Sequence, residues 1–111
     1  MLERPSVTTF LFTDIEGSTG LWEQDAARMQ PALARHDAIS RFAVERHRGR
    51  VVKMVGDGML AAFSDPIDAI GATLELQQAL AEPDGASALA LRLRCGLHAG
   101  VSETRDHDVF G

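Results

Sequence analysis

Thr8-Thr9-Phe10-Leu11-Phe12-Thr13-Asp14-Ile15-Glu16-Gly17-Ser18-Thr19 is the stretch on which the reading of the fold turns. It opens as a strand, a run of Phe, Leu and Thr with high β-propensity and no breaker. Along it Phe10 and Phe12 point to one face, and Leu11, Thr13 and Ile15 to the other. The run ends in a carboxylate, and Gly17-Ser18-Thr19 follows as a turn into a helix start. A strand that delivers Asp14 to its tip, beside free backbone N–H groups, suits the joint holding of a cation and a phosphate. A second role stays open on these residues alone, with Asp14 and Ser18 capping the next helix.

Upstream, residues 1–6 form a short polar leader containing Pro5, and residues 7–111 form the domain. Downstream, Gly17 to Glu23 starts a helix that carries the only Trp, Trp22, inward. From Asp25 the pattern turns helical: Met29, Ala32, Leu33, His36, Ile39, Phe42 and Ala43 fall on one stripe. Pro31 marks a helix start or a bend in this run. His36 reads as a packed, hydrogen-bonded histidine, because no second ligand sits one turn away. Arg35, Arg41, Arg46 and Arg48 read as a solvated face, and Gly49 as the helix stop.

Arg50 to Val55 and Met59 to Phe63 are strands joined by Gly56-Asp57-Gly58, a strong hairpin signal. Asp65 is the N-cap of the next helix, with Pro66 at its first position, and the helix runs to about Ala81. Glu82-Pro83-Asp84-Gly85 stops it. In Leu89 to Leu97, apolar Leu89, Leu91, Leu93, Cys95 and Leu97 alternate with Ala90, Arg92, Arg94 and Gly96, which predicts a strand with one buried face.

The order β-α-β-β-α-β is that of an α+β, ferredoxin-like fold, an antiparallel sheet with both helices on one face. A right-handed crossover makes the second strand parallel to the first and leaves a gap that the third strand fills. The tip of the first strand then lies beside the hairpin turn, so Asp14 and Asp57 are expected to meet there.

Composition narrows the function. A chain of 111 residues is one domain, able to bury roughly 60–70% of its unfolded surface. A net charge of −5 argues against nucleic acid as partner. Cys95 stands alone, so no internal disulfide forms, and a reducing compartment fits. No apolar run nears the roughly 20 residues that span a bilayer, and no signal-peptide pattern opens the chain. A cytoplasmic location away from membranes is the expectation.

Two carboxylates about 4 Å apart repel by roughly 4 kcal/mol at an effective dielectric near 20. A bridging cation, or a proton on one of them, relieves that. Asp14, Asp57 and the carbonyl of Ile15 are hard oxygen donors that suit Mg²⁺ or Mn²⁺. The turn from Ile15 and Glu16 through Gly17, Ser18 and Thr19 would cradle the phosphates. Asp57 as a plain turn residue and Lys53 as a solvated strand residue are the alternatives.

Phe12-Thr13-Asp14-Ile15-Glu16-Gly17-Ser18-Thr19, then Lys53-Met54-Val55-Gly56-Asp57-Gly58, then Asp108-Val109-Phe110-Gly111 resemble three ordered signatures of class III nucleotidyl cyclases. The start, extended through Leu21-Trp22-Glu23, is similar to the actinobacterial type. The resemblance implies an adenylate cyclase domain that converts ATP to 3′,5′-cyclic AMP and pyrophosphate in cyclic-nucleotide signalling. It implies Asp14 and Asp57 as the aspartates holding two Mg²⁺ or Mn²⁺ ions, and Lys53 and Asp108 as the pair that reads adenine. It also implies a head-to-tail homodimer, each site taking metals from one chain and base readers from the other. His98 and His107 have no partner at ligand spacing.

The resemblance stops inside its third signature, so the domain reads as C-terminally incomplete. Family members continue into a helix with an asparagine that orients the ribose and an arginine that stabilises the transition state. This chain holds no Asn at all. The implied activity of these residues alone is weak or absent. A non-catalytic module that binds nucleotide or dimerises is the competing reading. A diguanylate-cyclase-like enzyme fits less well, because Val55-Gly56-Asp57-Gly58-Met59 lacks that family's hairpin sequence.

Overall fold

The structure is a computed structural model and describes residues 6–82, 89–105 and 108–110. The expectations for residues 1–5, for Pro83-Asp84-Gly85, for His107 and for Gly111 lie outside the described residues. The elements are β1 (Ser6–Ile15), α1 (Ser18–Gln24), α2 (Ala26–Arg46), β2 (Arg50–Val55), β3 (Gly58–Phe63), α3 (Pro66–Ala81), β4 (Leu93–Arg105) and β5 (Asp108–Phe110). The sheet order is β2-β3-β1-β4-β5 with every neighbouring pair antiparallel. This is the α+β order expected: β3 fills the gap between β1 and β2. Among the described residues no helix is long and apolar enough to cross a membrane.

β1 lies mid-sheet and sets the faces. Leu11, Thr13 and Ile15 are buried, together with Met59, Ala61 and Phe63 of β3. Met29, Ala32, Ala43 and Val44 of α2 and Ala69, Ala72, Leu76 and Leu80 of α3 close the same core. Half of these helix residues are alanines, which let the helices approach the sheet closely. Trp22 packs against the core edge, partly buried.

Several expectations need correcting. Phe42 is 63% exposed, and Ser40 is buried in its stead. The buried positions 29, 32, 36, 40 and 43 step by three and four, and Phe42 falls about 100° off that line. Pro31 lies inside α2, which starts five residues before it, at Ala26. Arg35 is not a solvated residue: its Nη2 donates to the carbonyls of Ala79 at 2.9 Å and Glu82 at 2.8 Å. It thereby satisfies carbonyls that the end of α3 leaves without helical donors.

Gly49 acts for a different reason than the one expected. Arg48 takes the left-handed conformation, φ 64°. Its N–H donates to the Glu45 carbonyl and that of Gly49 to the Val44 carbonyl, at 3.1 and 2.8 Å, the paired bonds of a Schellman turn. Gly49 is needed because a Cβ there would run into the Phe63 ring.

The last long strand starts at Leu93, not Leu89, since Leu93 is already opposite Ile15, where β1 ends. Residues before it tie the layers instead: the Leu91 N–H donates to the Leu80 carbonyl and the Glu16 N–H to the Arg92 carbonyl.

Arg35→Ala should lower stability by about 1–3 kcal/mol, the usual cost of stranding part-buried polar groups. Gly49→Ala should cost about 1–3 kcal/mol through overpacking. Urea unfolding midpoints check both, and an unchanged midpoint in either variant would remove the corresponding contact from the account.

Candidate active site

Strand alternation brings Phe10, Phe12 and Asp14 onto the sheet face that the helices leave open. Asp14 ends this row with a side chain 46% exposed. The turn that follows puts Gly17 in the left-handed region, φ 68°, as N-cap of α1, with no side-chain cap hydrogen bond. The N-cap residue is thus Gly17, not Asp14 or Ser18. The first amides of α1, from Ser18 onward, lie at that uncapped end.

The hairpin carrying Asp57 lies at the same end of the sheet. Its turn is Gly56 and Asp57, with Val55 opposite Gly58 and Thr13 opposite Met59. Gly56, not Gly58, has the positive φ, 58°. Gly58 is already in the ladder and sits tight: a Cβ on it would be 3.2 Å from the Thr13 carbonyl oxygen.

Asp14 has a partner that sequence reasoning missed. Arg94, directly opposite it on β4, donates from Nε to Oδ1 at 2.8 Å and from Nη2 to Oδ2 at 2.9 Å. This is a bidentate fork. The hydrogen bond and charge of Asp14 push the Arg94 pKa further up, and the charges of Glu16 and Asp57 add to the effect. One guanidinium thus feels three carboxylates. The signal was present in the alternation of the strand, since Arg94 falls on its open face, but the pairing with Asp14 needs the register.

A cleft of about 300 Å³ opens here, lined by Phe12, Thr13, Asp14, Arg94, Cys95 and Gly96. Phe12 is 48% exposed and its ring sits 6.5 Å from that of Phe10. The half-buried Cys95 accepts a hydrogen bond from Gln77, and burial pushes its thiol pKa up.

Lys53 reaches the open face through a β-bulge. The register passes from Val51 opposite Ala61 to Lys53 opposite Leu60, so Val52 is the extra residue. Without the bulge Lys53 would face the helices. Leu60 is opposite Phe12, so two strand spacings and two residues separate Lys53 from Asp14, roughly 12 Å between Cα atoms. Asp108 opens β5 opposite Arg105, and its side chain lies outside the described residues.

Oxygen donors dominate the site. Among the described residues no three His, Cys, Asp or Glu side chains are grouped to hold a metal. Two carboxylates and a carbonyl suit a hard cation that takes its other ligands from water and substrate. The donor chemistry fits Mg²⁺ or Mn²⁺, with Arg94 as the charge now on Asp14.

Comparison with known proteins gives this arrangement a context. The family model for the adenylate and guanylate cyclase catalytic domain matches residues 2–107. An uncharacterized protein of Mycobacterium tuberculosis is 36% identical over 105 residues, 93% of this chain and 34% of that protein. Receptor-type adenylate cyclase GRESAG 4.1 of Trypanosoma brucei brucei is 38% identical over 136 residues, 90% of this chain and 11% of that protein. The solved adenylate cyclases of Trypanosoma brucei in their monomeric state superpose with a TM-score of 0.85 at 26% identity, over 95% of this chain and 62% of that one. The chain thus spans about a third of the first relative's length and about a tenth of the second's.

A raised thiol pKa predicts slow alkylation of Cys95 at mildly alkaline pH relative to a free cysteine. The neutral thiol is the favoured form in the fold. Its contribution to stability is therefore full below the ordinary thiol pKa and is lost as pH rises through the raised one. Alkylation rate against pH measures this, and a free-cysteine profile would refute it. Arg94→Gln should leave the urea midpoint nearly unchanged, because exposed ion pairs contribute little.

Proposed function

The chain belongs to the adenylate and guanylate cyclase catalytic domain family, and from that premise we propose that it forms the metal- and phosphate-binding part of an adenylate cyclase site. The observation that carries the reading is the meeting of the β1 tip, the Asp57 hairpin and Arg94 at one open end of the sheet. The substrate in this reading is ATP and the products are 3′,5′-cyclic AMP and pyrophosphate, in cytoplasmic cyclic-nucleotide signalling.

Asp14, Asp57 and the Ile15 carbonyl would hold two Mg²⁺ or Mn²⁺ ions. Such ions, when bound, polarise the phosphate and lower the cost of an attacking alkoxide. The chain's own groups do the rest. Amides of Glu16, Gly17, Ser18 and Thr19 donate to the polyphosphate at the uncapped start of α1. With Asp14 given to such an ion, the Arg94 fork would be free to donate to phosphate oxygens in the cleft. Lys53 donates to a purine ring nitrogen and Asp108 accepts from the exocyclic amine. Such a pair rejects guanine by leaving buried polar groups unpaired.

In this reading the site is completed in a head-to-tail homodimer. A cleft of about 300 Å³ is at the small end of ligand sites, and Lys53 stands roughly 12 Å from Asp14. Base readers from one chain closing over metals from another would complete the site. These 111 residues contain no Asn whose amide could orient the ribose.

Three measurements test this. With Mn²⁺ and ATP, the chain alone should form cyclic AMP at least about 10²-fold more slowly than a complete relative, the cost of one missing preorganised donor. A rate within about tenfold would contradict that. Asp14→Asn and Asp57→Asn should each abolish Mn²⁺-dependent ATP binding while keeping the fold. ATP binding with no detectable product under any condition favours the non-catalytic regulatory module. Binding untouched by either substitution would overturn the site itself.

A further inference from the structure

The opposite end of the sheet carries a second polar cavity that the reading above does not use. Its volume is about 170 Å³, and Thr8, Arg48, Gly49, Arg50, Phe63 and Ser64 contribute to its walls. Thr8 is six residues before Asp14 on β1, so the two places are roughly 20 Å apart.

The walls follow from the turn between α2 and β2. Arg48 in the left-handed conformation ends α2. Gly49 crosses over the Phe63 ring, where no side chain fits. Arg50 then enters β2 opposite Ala62. Two arginines therefore flank a glycine in sequence, with an aromatic ring beneath the glycine and Ser64 among the residues lining the same cavity. α3 starts two residues beyond Ser64, with Asp65 as its N-cap and Asp68 in its first turn, so its positive end is already partnered.

Charge singles this cavity out. The chain carries a net charge of −5, yet no acidic residue lines the cavity. Asp65 accepts the Ile67 N–H as N-cap. Arg48, its side chain 84% exposed, forms a long ion pair with Asp68 at 3.8 Å. Among the described residues Arg50 has no ion-pair partner. Two arginines and a serine among the lining residues carry the donor types that match the oxygens of a tetrahedral dianion. Size decides how much more can enter: about 170 Å³ is below the roughly 300–1,000 Å³ of sites that enclose a drug-sized ligand.

We propose that this cavity binds a phosphate-class dianion, either the free ion or the phosphoryl group of a small phosphate ester whose remainder stays in solvent. Arg48 and Arg50 supply the charge and Ser64 the hydroxyl. The site is independent of the Asp14 site.

Titration of the ¹⁵N-labelled chain with inorganic phosphate, at constant ionic strength against chloride, tests this. The amides of Gly49, Arg50 and Ser64 should shift saturably, and those of Asp14 to Thr19 should not. Arg50→Gln should weaken the apparent affinity by about tenfold, the scale of one charge-assisted hydrogen bond. Arg48→Gly removes the second charge while giving the left-handed position its preferred residue, so it should weaken binding with the fold intact. Asp14→Asn should leave binding unchanged. AMP shifting the same amides at lower concentration than phosphate identifies the ester as ligand, and equal or weaker response identifies the free ion. Shifts that chloride reproduces, that fail to saturate, or that survive both arginine substitutions would overturn the proposal.

Discussion

Burial of alternate residues along β1 is the constraint on which the rest of the structure depends. Leu11, Thr13 and Ile15 are held under the helices, which sends Phe10, Phe12 and Asp14 to the open face. Strand pairing on both sides locks this choice. A slip of one residue would exchange the two rows, drive Asp14 into the core and expose Leu11 and Ile15. That exchange costs apolar burial and strands a charge, so the register is strongly specified. The position of the acidic tip is thus a consequence of core packing at its neighbours.

The same register decides what Asp14 meets. Leu11 opposite Leu97 carries through to Asp14 opposite Arg94. The fork between them neutralises part of a cluster that includes Glu16 and Asp57. An acidic site without a cation has like charges to separate or to pair, and an exposed arginine does this at little cost in desolvation. The arrangement suits a site that exchanges one positive partner for another. The opposite end of the sheet is arranged on other principles, with a Schellman turn and a glycine over Phe63 between Arg48, which pairs with Asp68, and Arg50.

Much of this was legible in the residues. Patterning located β1, the hairpin and the capped start of α3, because those features depend on neighbours a few residues apart. Asp65 does cap α3, accepting from Ile67. Features that depend on contacts across the fold were not legible. Arg35 resembled any solvated arginine until α3 was placed against α2, which put the carbonyls of Ala79 and Glu82 within its reach. Phe42 resembled a core residue because its spacing is tolerable on a helical wheel, but the sheet below covers a narrower arc. Leu89 to Arg92 alternate as a strand would, yet β1 ends before it could pair with them.

By itself the sequence determined the β-α-β-β-α-β core, though not the separate α1 or β5, and the faces of β1, since each rests on local periodicity or on turn chemistry. The tertiary structure alone decided the partner of Asp14 and the facing of Lys53. The first needs a register between residues eighty positions apart. The second needs a bulge at Val52, where Val51-Val52-Lys53 would read equally well in either phase, and only the fit of Val51 and Met54 against the core selects one.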